Sequence, residues 1–417
     1  MKQKVLILGG GIAGYSAAQA IKRTGHDVQV TVITEEPDPT YSACVFAEYI
    51  AGEIPRERVF IQGQDQVVLE PSEWMLGQKI MGIDPEQKSL QLENGRTLGF
   101  DRLILATGSR ALVPGLPGVH KEGVYCLKTL ADAHGILEAM GKSAVVVGSG
   151  PVGLEVAVAL RKRGWDVSVI ELLDNVLPRL FSPIHSRMIQ SLLQGWGLRV
   201  LVGERLLGIE GGERVEAVVT DKRTLACQLV LLGIGMQPEA ELAERAGLRA
   251  GGTGGVAVDA YMRTNNEDIF ACGDCVESVD RLSGVPGLNM LWGNAKMQGT
   301  IAGLNSLGLR RKYPGALNLT TLKLHDTVAA SVGEVRIPDA SYQESIRGHG
   351  EKSSIRLVVK EGIVKGIQTV GPQVDMSVFL NMMLCGEKLH ILRDAKNKRS
   401  LLEQKPWLVR LPAYLRE

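Results

Sequence analysis

The 417-residue sequence lacks the compositional marks of several classes of protein. Its 47 lysines and arginines nearly balance 46 aspartates and glutamates, which gives a formal net charge of +1. No excess of one sign therefore predicts a nucleic acid or an anionic membrane as a partner. Six cysteines are too few for a disulfide framework in a chain of this length, so we expect reduced thiols. The seven histidines are isolated, and no cluster of ligands predicts a bound metal.

Long apolar runs are also absent. No stretch of about 18 apolar residues is present, so no transmembrane helix is predicted. The first predicted strand follows residues 1–4 directly, which leaves no room for a signal peptide. We therefore expect a cytoplasmic protein, and the length allows about three domains, each with its own core.

A glycine-rich turn marks the junction of the first predicted strand and the first predicted helix. The apolar run at residues 5–8 predicts a buried strand, and residues 12–23 predict a helix. Gly9, Gly11 and Gly14 form a G-x-G-x-x-G pattern at this junction. Glycine at these positions permits a tight turn and a close approach of the backbone to a pyrophosphate at the helix N-terminus.

An acidic pair follows the next predicted strand. That strand, at residues 28–33, ends just before Glu35 and Glu36. A carboxylate at this place in the motif accepts hydrogen bonds from a ribose hydroxyl of the dinucleotide. Either glutamate could serve, and we favour Glu35.

The same arrangement occurs a second time. Residues 144–147 predict a strand, Gly148, Gly150 and Gly153 repeat the glycine pattern, and a helix is predicted over residues 154–163. One such pattern is weak, whereas two in the same context predict that the chain binds two dinucleotides. A chain of this kind is expected to be a flavoprotein that transfers hydride.

The carboxylate that closes the second unit predicts which nicotinamide cofactor binds. Glu171 follows a strand predicted over residues 166–170, and no arginine follows it within the next turn of chain. A carboxylate there suits NADH and repels the 2′-phosphate of NADPH, by up to about 4 kcal/mol per unit charge at 4 Å with an effective dielectric constant near 20. We therefore expect NADH to be preferred.

Two further predicted strands end in glycine-containing turns. The strand at residues 103–105 leads to Thr107 and Gly108, and the strand at residues 229–232 leads to Gly235. Both runs are short and apolar, which is typical of strands buried in a parallel sheet. We interpret them as the strands that carry the chain out of the first unit and complete the second.

A later strand and its turn complete the pattern. Residues 268–274 predict a buried strand that ends in Gly273 and Asp274, and residues 295–305 predict a helix. The order G-x-G-x-x-G, A-T-G-S, G-x-G-x-x-G, G-x-G-x-x-P and I-F-A-C-G-D resembles the FAD-dependent pyridine nucleotide-disulfide oxidoreductase superfamily. The motif at residues 41–54 is similar to the NADH oxidase, rubredoxin reductase and nitrite reductase flavin-module group.

The resemblance implies an α/β fold with two Rossmann-like nucleotide-binding domains and a small α+β C-terminal interface domain. FAD would bind a domain made of residues 1–112 and 251–312, and NADH an inserted domain at residues 113–250. The interface domain would comprise residues 313–417 with a terminal tail, and it allows a homodimer. Its elements are predicted as strands at residues 321–324, 328–335, 355–359 and 363–370 and a helix at residues 374–384.

The resemblance also implies roles for particular residues. Asp274 would bind the ribityl chain of FAD, and Gly273 would let the backbone approach it. Glu155, just beyond the second glycine pattern, matches a family position close to the nicotinamide and the flavin. The remaining implied cofactor positions are Thr107, Gly108 and Gly235.

Cys44 stands where single-cysteine members such as NADH peroxidase, NADH oxidase and coenzyme A disulfide reductase keep a redox cysteine. Tyr49 and Ile50 lie beyond it as in their C-G-L-P-Y-x-I pattern, but residues 44–49 lack its glycine and proline. Beside a flavin, a thiol of lowered pKa could form a sulfenate, a mixed disulfide or a charge-transfer contact. Otherwise Cys44 is a small buried apolar residue.

The sequence assigns no redox or metal-binding role to the C-x-x-C pair, and it leaves two interpretations for the end of the chain. Cys272 and Cys275 form a C-x-x-C around the flavin turn, but no second pair or nearby histidine completes a zinc set, so we favour a structural role. Beyond residue 392, a basic and then apolar tail is either a docked terminal segment or a partner contact. Its apolar residues are Trp407, Leu408, Leu411 and Tyr414.

Three classes of function remain open from the sequence. The first is an FAD-dependent NADH:acceptor oxidoreductase that passes hydride from NADH to FAD and then electrons to a small redox protein or a partner subunit. The second is a single-cysteine NADH-dependent disulfide, persulfide or peroxide reductase that uses Cys44. The third is a non-enzymatic scaffold or sensor that binds FAD and NADH as ligands.

Overall fold

The computed structural model describes residues 2–61, 73–348, 353–371 and 376–389. The chain divides into two compact units. The first comprises Met1–Leu112, Cys126–Glu138 and Gly235–Asn318, and the second comprises Val113–Tyr125, Ala139–Ile234 and Leu319–Glu417. Each unit contains its own five-stranded parallel sheet.

The helices of the described chain are numbered in chain order. Helices α1 to α8 span Ile12–Arg23, Phe46–Ile50, Leu130–Glu138, Pro151–Lys162, Pro183–Gly195, Glu241–Arg245, Trp292–Ser306 and Ser377–Cys385. Short 3-10 helices span Ala43–Val45, Arg56–Arg58 and Gly273–Cys275.

The strands are numbered in the same way. Strands β1 to β26 span Gln3–Leu8, Val28–Ile33, Glu73–Met75, Ile80–Asp84, Ser89–Leu92, Thr97–Gly99, Arg102–Leu105, Ser109–Ala111, Val124–Tyr125, Ser143–Val147, Asp166–Glu171, Arg199–Val202, Leu206–Glu210, Ala217–Thr220, Thr224–Ala226, Leu229–Leu232, Met236–Pro238, Val256–Ala257, Ile269–Ala271, Val276–Val279, Pro286–Leu288, Thr320–Leu324, Thr327–Gly333, Tyr342–Gly348, Ser354–Lys360 and Ile363–Val370.

The main sheet of the first unit has the order β19-β7-β1-β2-β3, with every neighbouring pair parallel. One face of this sheet packs against α1 and α7, and the opposite face packs against Leu90 and Leu92 of β5 and Ala243 of α6. The fully buried side chains of Ile7 and Ile104 belong to one core, which also contains Ala17 of α1 and Ala302 of α7. Because β1, β7 and β19 are neighbours, the turns that follow them meet at one edge of the sheet.

The second unit repeats this design. Its parallel sheet has the order β12-β11-β10-β16-β9, and β10 and β16 are buried almost throughout. Gly148 donates its backbone N–H to Ile170 at 2.8 Å, and Gly233 donates to Val147 at 2.8 Å. The ends of β10, β11 and β16 therefore lie together, as the corresponding ends do in the first unit.

The C-terminal part of the second unit is an antiparallel sheet with the order β22-β23-β26-β25-β24. Four of its strands confirm the predicted positions, whereas β24 was not predicted. The predicted terminal tail beyond residue 392 lies outside the described residues. Over the described part of the chain, none of the helices has the length and apolar character needed to cross a bilayer.

The predicted fold class is confirmed by the parallel sheet in each unit and the antiparallel C-terminal sheet. Residues 12–23 were predicted as a helix and form α1 with the same limits. The division into FAD, NADH and interface domains at residues 113, 251 and 313 stays a prediction.

Candidate functional site

The turn between β1 and α1 requires glycine at two of its positions, Gly9 and Gly14. Gly9 has a φ of +113°, and a Cβ atom there would lie 2.0 Å from the carbonyl oxygen of Ala106. A Cβ atom at Gly14 would lie 2.0 Å from the carbonyl oxygen of Gly9. Such distances are far shorter than van der Waals contact. The backbone of the turn therefore packs directly against the residue that follows β7 and against the first turn of α1.

Gly11 has the opposite surroundings. No heavy atom of the described residues beyond its immediate neighbours lies within 4 Å of a Cβ placed there. Gly11 is the N-cap of α1, and within the described chain no side chain caps this end. The start of α1 therefore has room for a phosphate group beside its first N–H groups, an arrangement that fits the pyrophosphate of a dinucleotide such as FAD.

The two glutamates after β2 differ in burial and in hydrogen bonding. Glu36 is half-buried and accepts a hydrogen bond from the hydroxyl of Tyr41, which itself accepts one from the backbone N–H of Leu130 at 3.3 Å. The pKa of Glu36 is raised above its ordinary value, because the effect of burial exceeds the opposing effect of the Tyr41 hydrogen bond. Glu35 is exposed at the end of the strand. These surroundings agree with the preference for Glu35 as the ribose ligand, which stays a prediction.

Asp274 lies in a small polar cluster after β19. Its Oδ2 accepts a hydrogen bond from Ser109 Oγ at 2.8 Å and lies 3.1 Å from Lys128 Nζ. Lys128 Nζ also donates to Ser109 Oγ at 2.8 Å. All three side chains are part-buried, so the lysine supports a negative charge on Asp274 in a partly shielded setting. Sequence reasoning predicted Asp274 but missed Ser109 and Lys128.

Three other predicted cofactor positions connect two neighbouring antiparallel segments. Thr107 Oγ1 donates to the carbonyl oxygen of Glu239 at 2.7 Å, and Glu239 N–H donates to the carbonyl of Gly108 at 2.9 Å. The carbonyl of Gly235 accepts from Leu112 N–H at 2.9 Å. These contacts connect the segment after β7 to the segment around β17. Direct cofactor contact by Thr107, Gly108 and Gly235 stays a prediction.

The second glycine turn has the geometry of the first. Gly148 has a φ of +95°, and its Cβ atom would lie 2.5 Å from the carbonyl oxygen of Gly233. A Cβ atom at Gly153 would lie 2.3 Å from Gly148 O, whereas one at Gly150 would find its nearest described neighbour at 3.9 Å. The second turn therefore has an open position at the start of α4 as well, and it fits the pyrophosphate of a nicotinamide dinucleotide.

Glu171 holds the second glycine turn from the neighbouring strand. Its Oε2 accepts from Ser149 N–H at 2.9 Å and from Ser149 Oγ at 2.6 Å, and its Oε1 accepts from Leu173 N–H at 2.9 Å. A carboxylate can accept about four hydrogen bonds. The three bonds to the chain leave capacity for a ribose hydroxyl, so the predicted selection of NADH is compatible with this clamp.

Glu155 lies near the start of α4, where this helix packs against β22. Its Oε1 accepts a hydrogen bond from the backbone N–H of Lys323 at 3.3 Å. The contact gives Glu155 a structural partner within the second unit. Its predicted position close to the nicotinamide and the flavin stays a prediction.

The cysteines differ sharply in exposure. Cys44 is exposed on the 3-10 helix Ala43–Val45, which removes the interpretation that it is a buried apolar residue. Cys272 and Cys275 are fully buried, and burial raises the pKa of both thiols. Cys275 Sγ lies 3.3 Å from the carbonyl oxygen of Cys272, which agrees with a structural role for this pair. Within the described ranges no group of His, Cys, Asp or Glu is arranged to hold a metal ion.

Two glycine turns of this geometry, each at the end of a parallel sheet, are typical of a protein with two dinucleotide sites. A family model described as pyridine nucleotide-disulphide oxidoreductase matches residues 3–299. The chain belongs to this family and is an FAD-dependent NAD(P)H oxidoreductase.

Known proteins from three contexts are similar to this chain. An NADH oxidase from Methanocaldococcus jannaschii is 31% identical over 393 residues, covering 88% of this chain and 87% of that protein. The ferredoxin–NAD(+) reductase component of a biphenyl dioxygenase system from Paraburkholderia xenovorans is 31% identical, covering 72% and 74%. The solved structure of an NAD-dependent persulfide reductase from A. fulgidus is 27% identical with a TM-score of 0.87, covering 95% of this chain and 79% of that one.

Proposed function

We propose that this protein oxidises NADH and passes the electrons to a small redox protein or a partner subunit. The observation that carries the proposal is the pair of glycine turns with open positions at Gly11 and Gly150, each at the start of a helix. The chemistry that FAD supplies when bound is acceptance of hydride from NADH and release of the electrons to an acceptor. The chain's own residues bind and orient both dinucleotides.

The residues divide this work between the two turns. The first turn and the cluster around Asp274 would hold the pyrophosphate and the ribityl chain of FAD, with Lys128 and Ser109 keeping the Asp274 carboxylate oriented. The second turn and Glu171 would hold NADH, because a buried carboxylate repels a 2′-phosphate. NADH is therefore the proposed donor rather than NADPH.

Electron transfer to a partner is favoured by the chemistry around Cys44. A dithiol relay beside the flavin needs a second cysteine close by, and residues 40–48 contain Cys44 alone. Without a dithiol to store the electron pair, direct transfer to an external acceptor is the simpler output. The similarity to a ferredoxin–NAD(+) reductase component supports the same acceptor class.

Reduction of a persulfide, disulfide or peroxide through Cys44 is the second candidate. It is favoured by the exposure of the Cys44 side chain and by the fold shared with a persulfide reductase. A non-enzymatic scaffold is no longer retained, because the chain is a member of an oxidoreductase family. A homodimer and a cytoplasmic location stay predictions from the sequence.

Anaerobic reduction of the purified flavoprotein tests the proposal. NADH is expected to bleach the flavin absorbance faster than NADPH, and the reduced protein is expected to be reoxidised rapidly by a [2Fe-2S] ferredoxin. Rapid reoxidation by coenzyme A persulfide with no response to ferredoxin would favour the second candidate. A protein that binds no FAD would contradict both.

A further inference from the structure

We propose that Gln298 is a positioning residue that fixes the Gly273–Asp274 turn relative to the first glycine turn. The inference rests on the proposed flavoenzyme function, because Asp274 is the residue expected to hold the ribityl chain. Gln298 belongs to α7 and is 1% exposed. A polar amide is buried this deeply only where its hydrogen-bonding groups find partners.

Each end of the Gln298 amide is bonded. Oε1 accepts the backbone N–H of Gly273 at 2.8 Å. Nε2 donates to Ser278 Oγ at 3.1 Å and to Tyr313 Oη at 3.3 Å. The oxygen thus provides the hydrogen-bond acceptor for the backbone N–H of the turn. The nitrogen anchors the side chain to one residue that precedes α7 in the chain and one that follows it. With the amide reversed, its NH2 group would face Gly273 N–H, donor against donor, so the bond to Gly273 fixes the orientation of the amide.

The helix that carries Gln298 has little freedom to move. A Cβ atom at Gly299 would lie 2.1 Å from the carbonyl oxygen of Ala13, and one at Gly303 would lie 2.5 Å from that of Ala17. The backbones of α7 and α1 are therefore in direct contact along one turn of each helix. Since α1 begins at the first glycine turn, the contact between the two helices fixes the position of Gln298 relative to the expected pyrophosphate site.

The turn that Gln298 holds has a restricted conformation of its own. Gly273 has a φ of +84°, and a Cβ there would lie 2.8 Å from the side chain of Ala13. The residue that follows, Asp274, is oriented by Ser109 and Lys128. Gln298 therefore sets the position of the backbone and the other two side chains set the carboxylate. We therefore expect the spacing between the pyrophosphate site and the ribityl site to depend on this amide together with the contact between Gly273 and Ala13.

Replacing the amide with an apolar side chain of similar length tests the inference. Gln298→Met leaves Gly273 N–H without its acceptor, and we expect the Kd for FAD to rise about 10-fold, the equivalent of one lost hydrogen bond. The visible circular dichroism of the bound flavin, which reports ring orientation, is expected to change as well. Tyr313→Phe removes a partner of Nε2 only, and its Kd for FAD is expected to stay within about 3-fold of wild type.

Asn305→Leu is the matched control. Asn305 is a buried amide on the same helix, but it bonds the backbone of Tyr261 and Arg311 rather than the turn. This variant is expected to lower the melting temperature without changing the Kd for FAD or the flavin dichroism. If Gln298→Met does not fold, Gln298→Asn, one methylene shorter, is expected to show the same weakening of FAD binding.

The outcomes separate this inference from the proposed function. A folded Gln298→Met protein with the wild-type Kd for FAD and the wild-type flavin dichroism would overturn the positioning role. So would an equal loss of FAD affinity in Asn305→Leu, because the effect would then be general destabilisation. Failure of the wild-type protein itself to bind FAD would instead reject the proposed function.

Discussion

Ser149 gives both its backbone N–H and its hydroxyl to one carboxylate oxygen of Glu171, at 2.9 and 2.6 Å. The residue expected to choose the nicotinamide cofactor is therefore also a clamp on the turn that binds it. Glu171→Gln removes the charge and keeps one oxygen that can accept from Ser149, but its NH2 group then faces Leu173 N–H, so the variant removes the charge together with one of the three clamp bonds.

Glu171→Gln combined with Leu172→Arg is expected to shift preference toward NADPH. Leu172 is 52% exposed beside the clamp, so an arginine there is free to pair with a 2′-phosphate. We expect the ratio of kcat/KM for NADPH over NADH to rise at least about 10-fold, measured by anaerobic flavin reduction. Glu204→Gln, a buried carboxylate in the same unit, is the control. An unchanged ratio in the double variant would remove Glu171 from cofactor selection.

The open positions of the two glycine turns predict that FAD binding and NADH binding can be weakened separately. Gly11 has a φ of −71°, so Gly11→Ala introduces no backbone strain, and its methyl group projects into the space expected for the FAD pyrophosphate. We expect FAD affinity to fall about 10-fold with the fold intact. Gly150→Ala is expected to weaken NADH binding and to spare FAD.

Gly9→Ala is the contrasting variant for this pair. Its Cβ atom would lie 2.0 Å from Ala106 O, so we expect failure to fold rather than a selective loss of cofactor. Circular dichroism and FAD titration distinguish the two results. Wild-type FAD affinity in Gly11→Ala would mean that the open position is not the pyrophosphate site.

Cys44→Ser tests the thiol-based alternative. The variant is expected to lose any reduction of disulfides, persulfides or peroxides and to retain reduction of a dye by NADH, because only the former needs a thiolate. Cys385→Ser, which alters another exposed thiol, is the control. Full thiol-linked activity in Cys44→Ser would exclude this cysteine from the reaction.

His185 predicts a pH dependence of stability in the second unit. It is fully buried, and burial, followed by the positive charge of Arg356, lowers its pKa to about 4. The unfolded chain therefore takes up a proton first as the pH falls, so stability is fully present above about pH 6.5 and is lost progressively toward pH 4. The loss from this group between pH 7 and pH 5 is about 2 kcal/mol.

Replacing the imidazole should flatten that dependence. His185→Gln removes the titrating group, and the free energy of unfolding measured by urea at pH 7 and pH 5 is expected to differ less than in the wild type. His120→Gln, at an exposed position in the same unit, is expected to leave the difference as it is. Equal pH dependence in all three proteins would contradict the assignment to His185.

Local signals in the sequence predicted the elements that carry the glycine turns. Residues 12–23 were predicted as a helix and form α1 as Ile12–Arg23, because glycine precedes the helix and Thr24-Gly25 follows it. The start of α4 was predicted three residues late, since Pro151 at its first position is permitted in a helix. The start of α7 at Trp292 was also missed, because Trp292-Gly293 carries no helix-start signal.

Other features depend on contacts that no local pattern contains. β24 is an edge strand whose exposed polar residues, such as Gln343 and Ser345, do not alternate with apolar ones. Lys128 reaches Asp274 across 146 positions of the chain, and Gln298 reaches Gly273 across 25. Tertiary structure alone brings such residues together, so the sequence predicted the glycines and the carboxylates but not the side chains that orient them.

The direct contact between Gly299 of α7 and Ala13 of α1 has a consequence for biosynthesis. The helix that follows the first glycine turn emerges early from the ribosome, but the surface against which it packs is made only when α7, ending at Ser306, has been translated. The whole second sheet is synthesised in the interval. During that time α1 exposes a row of small residues with no partner helix, so we expect newly made chains to acquire flavin late and to need protection from aggregation until then.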